Sequence, residues 1–164
     1  MSLFITSDTH FGHSRIIELS RRSFQSLADM EETIIARWNE WISARDDVWH
    51  LGDFTFRTAD PRKYFDRLNG RKHLIAGNHD SDETKTLGWV DVQDLRNIRF
   101  NHQKFVLCHY PLLEWDGFYR GAIHLHGHQH NKTALRSVRR VDVGVDGNDY
   151  RPWAIEELAE LVAS

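Results

Sequence analysis

An α/β fold is what this sequence predicts, and three observations carry the prediction. Short apolar runs recur along the chain: Leu3-Phe4-Ile5, Val48-Trp49-His50-Leu51, Leu74-Ile75-Ala76, Phe105-Val106-Leu107-Cys108, and Ile123 with Leu125. Runs of this kind, rich in aliphatic and aromatic residues and closed by Gly or a polar cluster, read as buried strands. Stretches with helical spacing alternate with these runs in the first half, and the second half is mostly strand. Every run also leads into residues that bind metal well: Asp8 and His10, Asp53, Asn78, His109, then His128 and His130. Ligands in α/β proteins gather beyond the carboxyl ends of strands. Strands that deliver these side chains to one rim would build a nitrogen–oxygen site for two metal ions.

The elements follow in order. A first strand covers about Leu3 to Ser7, and a short helix follows His13 through Ile16, Ile17 and Leu19. A stronger helix runs from about Asp29 to Ser43. Met30, Ile34, Trp38 and Trp41-Ile42 recur there at helical spacing, and Asp29 serves as N-cap with Glu32 three residues on. The second strand ends at Leu51. Pro61 opens a helix that reaches Leu68 and stops at Asn69-Gly70. The third strand is about His73 to Ala76. Beyond Asp80, Val90–Phe100 and Lys104–Cys108 form strands joined at Asn101-His102-Gln103, a hairpin. Another strand precedes Gly127. Val138, Val141, Val143 and Val145 suggest a further strand or hairpin. Pro152 then opens a C-terminal helix with Ile155, Leu158, Leu161 and Val162 on one face. The pattern by itself gives no more than α/β.

Composition narrows the function. The 164 residues suit one domain with one substantial core. Hydrophobic content of 40% and charged content of 27% are ordinary for a globular protein. No apolar stretch approaches the length of a bilayer span, and the N-terminus lacks a signal-peptide pattern. The one cysteine, Cys108, fits a reducing, cytoplasmic setting. A net charge of −3 provides no global field for nucleic acid. The unusual number is 11 histidines, since histidine is the commonest metal ligand.

The series Asp8-x-His10, Gly52-Asp53, Gly77-Asn78-His79-Asp80, the lone His109, then Gly127-His128-x-His130 resembles the calcineurin-like metallophosphoesterases of the small bacterial or phage type. Single pieces are weak signals; all five in order, each after a strand-like run, are highly specific. The resemblance implies one domain over 1–164 with two packed mixed β-sheets flanked by helices, a four-layer αββα sandwich. It implies a first metal held by Asp8, His10, Asp53 and His130, and a second held by Asp53, Asn78, His109 and His128. Asp53 is then the bridge, able to give one carboxylate oxygen to each ion. His79 would face the leaving-group oxygen as general acid, and Asp80 would hold its ring. A hydroxide held between the ions would attack phosphorus.

The residue types agree with that chemistry. Asp8 and His10 are two apart and would point the same way on an extended strand end. Oxygen and nitrogen donors without thiolate suit manganese, iron, zinc, cobalt or nickel, with manganese favoured. Four histidines argue against magnesium. Two dications against two carboxylates leave a positive surplus that draws an anion.

Other residues stay open. His13 either contacts substrate phosphate or caps the following helix. His50, His73, His102, His124 and His126 read as structural, Cys108 as core, and Trp38 and Trp41 as core or groove packing. Arg136, Arg139 and Arg140 form a short basic run. Asn131, Asp146 and Arg151 are candidates to line the cleft, though no motif places them.

The expectation is a metal-dependent phosphoester hydrolase acting on a small phosphoester or nucleotide. Phosphodiesters or nucleotide pyrophosphates are favoured, because the motif loops hold no arginine to grip a monoester dianion; Arg15 is the nearest. A phosphatase or nuclease of the same superfamily is the alternative, and a non-catalytic protein-binding scaffold the third. Nucleic acid is possible as a partner but not favoured.

Overall fold

A computed structural model describes residues 1–56, 59–132 and 139–163. Its nine strands and five α-helices follow the chain as β1 Leu3–Thr6, α1 Ile16–Leu19, α2 Leu27–Trp41, β2 Asp47–His50, α3 Arg62–Phe65, β3 Arg71–Ile75, α4 Asp82–Lys85, β4 Val92–Gln93, β5 Leu95–Phe100, β6 Gln103–Cys108, β7 Ile123–His126, β8 Arg140–Asp142, β9 Trp153–Ala154 and α5 Ile155–Ala163. The first sheet has the order β4-β3-β2-β1-β9 and the second β5-β6-β7-β8. Both are mixed: β9 runs antiparallel to β1, and β5 antiparallel to β6, while the other pairs are parallel.

Side-chain alternation along the strands builds the layers. Phe4 and Val48 point to one face of the first sheet, where they meet Met30, Ile34 and Trp38 of α2 and Phe65 of α3. Ile5 and Trp49 point to the other face, where they meet Phe105, Leu107, Leu125 and Val141 of the second sheet. Fully burying each such side chain stabilises the fold by about 1.5–3 kcal/mol. The outer face of the second sheet is covered by the segment after β6, where Trp115 packs on Val106 and Ala122. His124 also lies on that outer face, buried, its Nδ1 bonded to the Val106 carbonyl and its Nε2 accepting from the Leu112 N–H. It is structural, as expected.

Several expectations need correction. The cap of α2 is Ser26, whose hydroxyl accepts from the Asp29 N–H at 3.1 Å; Asp29 sits in the first turn instead. Trp41 is not core: it is 45% exposed and carries the Arg151 guanidinium over its ring at 4.1 Å. The run Val90–Phe100 is not one strand. It divides at Asp94 into β4, which pairs with β3, and β5, which pairs with β6, so one continuous stretch serves both sheets. The hairpin turn is the two residues Asn101 and His102, both at positive φ, and Gln103 already pairs with Phe100. That backbone suits the twist of paired strands. Pro152 does not open a helix: Trp153 and Ala154 first pair with β1, and α5 starts at Ile155. Helix α4 was not foreseen. Val138 and Arg136 lie outside the described residues. Among the described residues no helix is long and apolar enough to cross a membrane.

Candidate metal centre

The strand ends of both sheets converge as the motifs suggested. Past β1 and β2 the two chain segments stay laddered, with Asp8 N–H on Gly52 O, His10 N–H on Asp53 O and Phe11 N–H on Phe54 O, each at 3.0 Å. This fixes the loop of Asp8 and His10 against the loop of Asp53. The extended geometry expected for Asp8 and His10 is not what turns them together. Both have positive φ, as do Asp53, His128 and His130. Non-glycine residues held in this region cost of order 1–3 kcal/mol each, and such strain gathers at functional sites.

Two groups of donors result. Asp8, His10 and His130 form one, and Asp53, His109 and His128 the other, each close enough to hold one ion. Asp53 Oδ2 links them, at 3.5 Å from His10 Nε2 and 3.5 Å from His109 Nε2. The other oxygen, Oδ1, accepts the His79 backbone N–H at 2.9 Å. A single oxygen therefore faces both groups, rather than one oxygen facing each. Asn78 Oδ1 joins the second group, 3.1 Å from His109 Nε2 and 3.0 Å from His128 Nδ1. Asp8 Oδ1 and His10 Nε2 are buried without hydrogen-bond partners among the described residues. Such orphaned polar atoms are costly unless something binds them, so the donor set fits a metal.

Outer contacts aim the donors. His109 Nδ1 donates to the Leu51 carbonyl at 2.7 Å, which turns Nε2 toward Asp53. Gly52 makes this possible: a Cβ there would lie 2.7 Å from His109 Nδ1. His130 Nδ1 bonds Asp146 Oδ2 at 3.0 Å, leaving Nε2 toward Asp8 Oδ1 at 3.8 Å. Asp146 is gripped in turn by the buried Arg22, whose guanidinium also reaches the carbonyls of Asp8 at 2.6 Å and Thr9 at 3.1 Å. No motif flagged Arg22, and Asp146 had no assigned place; their contact is long-range and leaves no local pattern.

Electrostatics follow the packing. Burial pushes the Asp8 carboxyl up, but the imidazoles of His10 and His130 outweigh it and hold the group well below its ordinary value. Burial pulls His109 down, but the hydrogen bond and charge of Asp53, with the charge of Asp8, lift it to about 9 in the metal-free protein. Burial, then the neighbouring His10 and His79, lowers His13 to about 4. A bound dication would replace the protons that these pairs share.

Two expectations about the loop after β3 divide. His79 sits beside the first donor group, its ring 5.3 Å from that of His10. Asp80 does not hold that ring. Its carboxylate accepts three backbone N–H groups, from Asp53 at 3.0 Å, Phe54 at 2.9 Å and Gly77 at 2.8 Å. His79 Nδ1 is buried with no hydrogen-bond partner among the described residues. The carboxylate instead ties the loop of Asn78 to the loop of Asp53, because the crowded backbone donors there need a buried acceptor. His13 lies between the alternatives: its Nδ1 is 3.3 Å from His10 Nδ1, and its ring stacks on Phe56 at 4.2 Å.

A cavity of about 600 Å³ opens beside the first group, with His10, His13, Phe56, His79 and His130 on its wall. Asn131 and Arg151 take no part in the donor groups. Asn131 donates its backbone N–H to Asp142, and Arg151 pairs with Glu157.

Two stacked mixed sheets whose strand ends converge on histidine, carboxylate and asparagine donors define the architecture of a metallophosphoesterase. Residues 1–148 match the calcineurin-like phosphoesterase superfamily domain, and the chain belongs to that superfamily, which supports a phosphoesterase activity. It is 30% identical over 173 aligned positions to an uncharacterised protein of Methanocaldococcus jannaschii, covering 98% of this chain and 90% of that one. Among solved structures it is similar to an Aquifex aeolicus protein of unknown function, with TM-score 0.80, 28% identity and 98% of each chain covered. An archaeal phosphodiesterase shares the fold, with TM-score 0.53, 20% identity and coverage of 88% and 82%.

Proposed function

We propose that this protein hydrolyses a phosphodiester or a nucleotide pyrophosphate at a dinuclear metal centre. The observation that carries the reading is Asp53 Oδ2, equidistant at 3.5 Å from a nitrogen of each donor group. A carboxylate oxygen that faces both donor groups is placed to bridge two ions. Asp8, His10, Asp53 and His130 would hold one ion, and Asp53, Asn78, His109 and His128 the other. The nitrogen–oxygen set favours manganese, with iron, zinc, cobalt or nickel able to substitute.

When bound, two dications would supply polarisation of the phosphoryl oxygens and a nucleophile drawn from water. The chain's own residues do the rest. His79, on the wall of the cavity beside the first donor group, gives a proton to the leaving oxygen. Asp80 positions it through the backbone, since Asp80 fastens the loop that carries His79. His13, packed on His10 and Phe56, borders the place where substrate oxygens would sit. Residues 1–164 act as one domain in this reading. The buried free thiol of Cys108 supports a reducing, cytoplasmic location.

The test is a comparison of kcat/KM for an aryl diester and its matched monoester, on metal-free protein reloaded with manganese. Preference for the diester is expected. A monoester preference of about tenfold or more, ~1.4 kcal/mol of transition-state binding, would make the protein a phosphatase. Turnover of neither ester with two ions bound would leave the protein-binding scaffold.

A further inference from the structure

The 600 Å³ cavity beside His79 holds more than the donor groups need. Its wall also carries Arg15, Leu19, Ser20 and Lys132. A second cavity of about 430 Å³ shares Leu19, Ser20, His130 and Lys132 with the first and adds Arg21. The two therefore form one cleft that begins at His10 and His79, passes His130 and ends among three cations. No carboxylate lines either part among the described residues.

These three cations differ from the arginines that hold the fold. Arg22, Arg37, Arg67 and Arg151 each close on a carboxylate. The side chains of Arg15, Arg21 and Lys132 have no hydrogen-bond or ion-pair partner among the described residues, and all three are exposed. A net charge of −3 rules out a generally basic surface as the reason they stand together. Unpaired cations around a concave site raise the local concentration of anions and steer them inward.

We infer that the substrate is a phosphodiester whose leaving alcohol carries a second phosphate, and that Arg15, Arg21 and Lys132 bind this second phosphate. The inference rests on the hydrolase reading and names the substrate class for that site. The direction follows from His79. The group that His79 protonates must lie on its side of the scissile phosphorus, which is the side of the cleft. The water oxygen joins phosphorus as water gives up a proton to solvent, the bond from phosphorus to the leaving oxygen breaks, and that oxygen takes a proton from His79, which regains one from solvent. One product is a phosphomonoester, and the other is an alcohol still bearing its own phosphate. Each part of the cleft, about 600 and about 430 Å³, falls within the 300–1,000 Å³ range of sites that enclose a small ligand. Leu19 and Ile16 give apolar wall for a sugar or base between the two anions.

Thymidylyl-thymidine, its 5′-phosphorylated form and its 3′-phosphorylated form make the test, on manganese-reloaded protein. One phosphorylated form should exceed the parent in kcat/KM by about tenfold or more. That ratio should fall toward one in the triple variant Arg15→Gln, Arg21→Asn, Lys132→Gln, and with added salt in the wild type. Equal rates for the three dinucleotides in the wild type, or a ratio that survives in the triple variant, would overturn the inference. An octathymidylate arm separates the two sources of this chemistry: a further rise over the phosphorylated dinucleotide marks a strand, and no rise marks a small nucleotide. An aryl diester serves as control. Its hydrolysis alongside equal dinucleotide rates would sink this inference and leave the hydrolase reading standing. If no ester is hydrolysed, calorimetry still decides. Thymidine 3′,5′-bisphosphate should bind about tenfold more tightly than thymidine 3′-monophosphate in the wild type and equally in the triple variant. Equal affinities in the wild type count against the cation cleft.

Discussion

The guanidinium of Arg22 closes on the carboxylate of Asp146 through two parallel hydrogen bonds, Nε to Oδ1 at 2.8 Å and Nη2 to Oδ2 at 2.9 Å, across 124 residues of sequence. Fork-to-fork pairs of this kind are strong and directional. This one is buried and ends on His130, so it sets which nitrogen that imidazole presents to Asp8. Asp146→Asn should therefore weaken metal binding without removing a donor. Outer-shell carboxylates of metal-binding histidines are worth about 10–100-fold in affinity. Calorimetric titration with manganese measures this; unchanged affinity at the His130 side would deny Asp146 its positioning role.

Asp53→Ala should lose both ions together, because Oδ2 faces both donor groups. Elemental analysis after reloading gives the metal count. One tightly held ion in the variant would mean that the groups bind independently.

His79→Ala should keep its metal, since only the backbone N–H of residue 79 touches Asp53 and that group survives the change. Turnover should fall by about 10²–10⁴, the usual contribution of general acid–base catalysis. The loss should shrink for substrates with good leaving groups, which need little protonation. Equal losses for good and poor leaving groups would take His79 out of the acid role.

Asp80→Asn should unfold at a lower temperature. Asp80 accepts three backbone N–H groups, and an amide offers one acceptor and turns its own donors against the rest. Hydrogen bonds to a charged group are each worth about 1.5–3 kcal/mol, so a loss of about 2–3 kcal/mol is expected. Thermal unfolding reports it, and an unchanged midpoint would contradict the loop-fastening role.

Away from the site, Asp46 makes the acid stability of the chain depend on its N-terminus. The Ser2 N–H, then the Ser43 hydroxyl and N–H, hold its carboxyl down to about 2, below the ordinary 3.8. A depressed folded value means that the stabilisation is fully present above the unfolded value and is lost as pH falls through the folded one. The difference in Tm between wild type and Asp46→Asn should be constant above about pH 5 and shrink between about pH 4 and pH 2. A difference that does not change over that window would mean that Asp46 is not coupled to folding.

What the sequence by itself determined is the principal buried strands, β1, β2, β3, β6 and β7, and the residues that follow them as candidate donors. An apolar run that must be buried is a local signal, and Asp8, His10, Asp53, Asn78, His109, His128 and His130 lie just beyond such runs, so they could be read in order as candidates, while their assignment to two ions came from the family resemblance. The two-sheet architecture came with the family resemblance rather than from the pattern. What only the tertiary structure decided is how those residues are held. The separation of β4 from β5 at Asp94, the pairing of Trp153-Ala154 with β1, the turn of Asp80 away from His79, and the Arg22–Asp146–His130 chain all depend on partners far away in sequence. The physical reason is that hydrogen-bond geometry and charge pairing act over a few ångströms of space and leave no period in the chain, whereas burial of a strand or helix face repeats with the backbone and does.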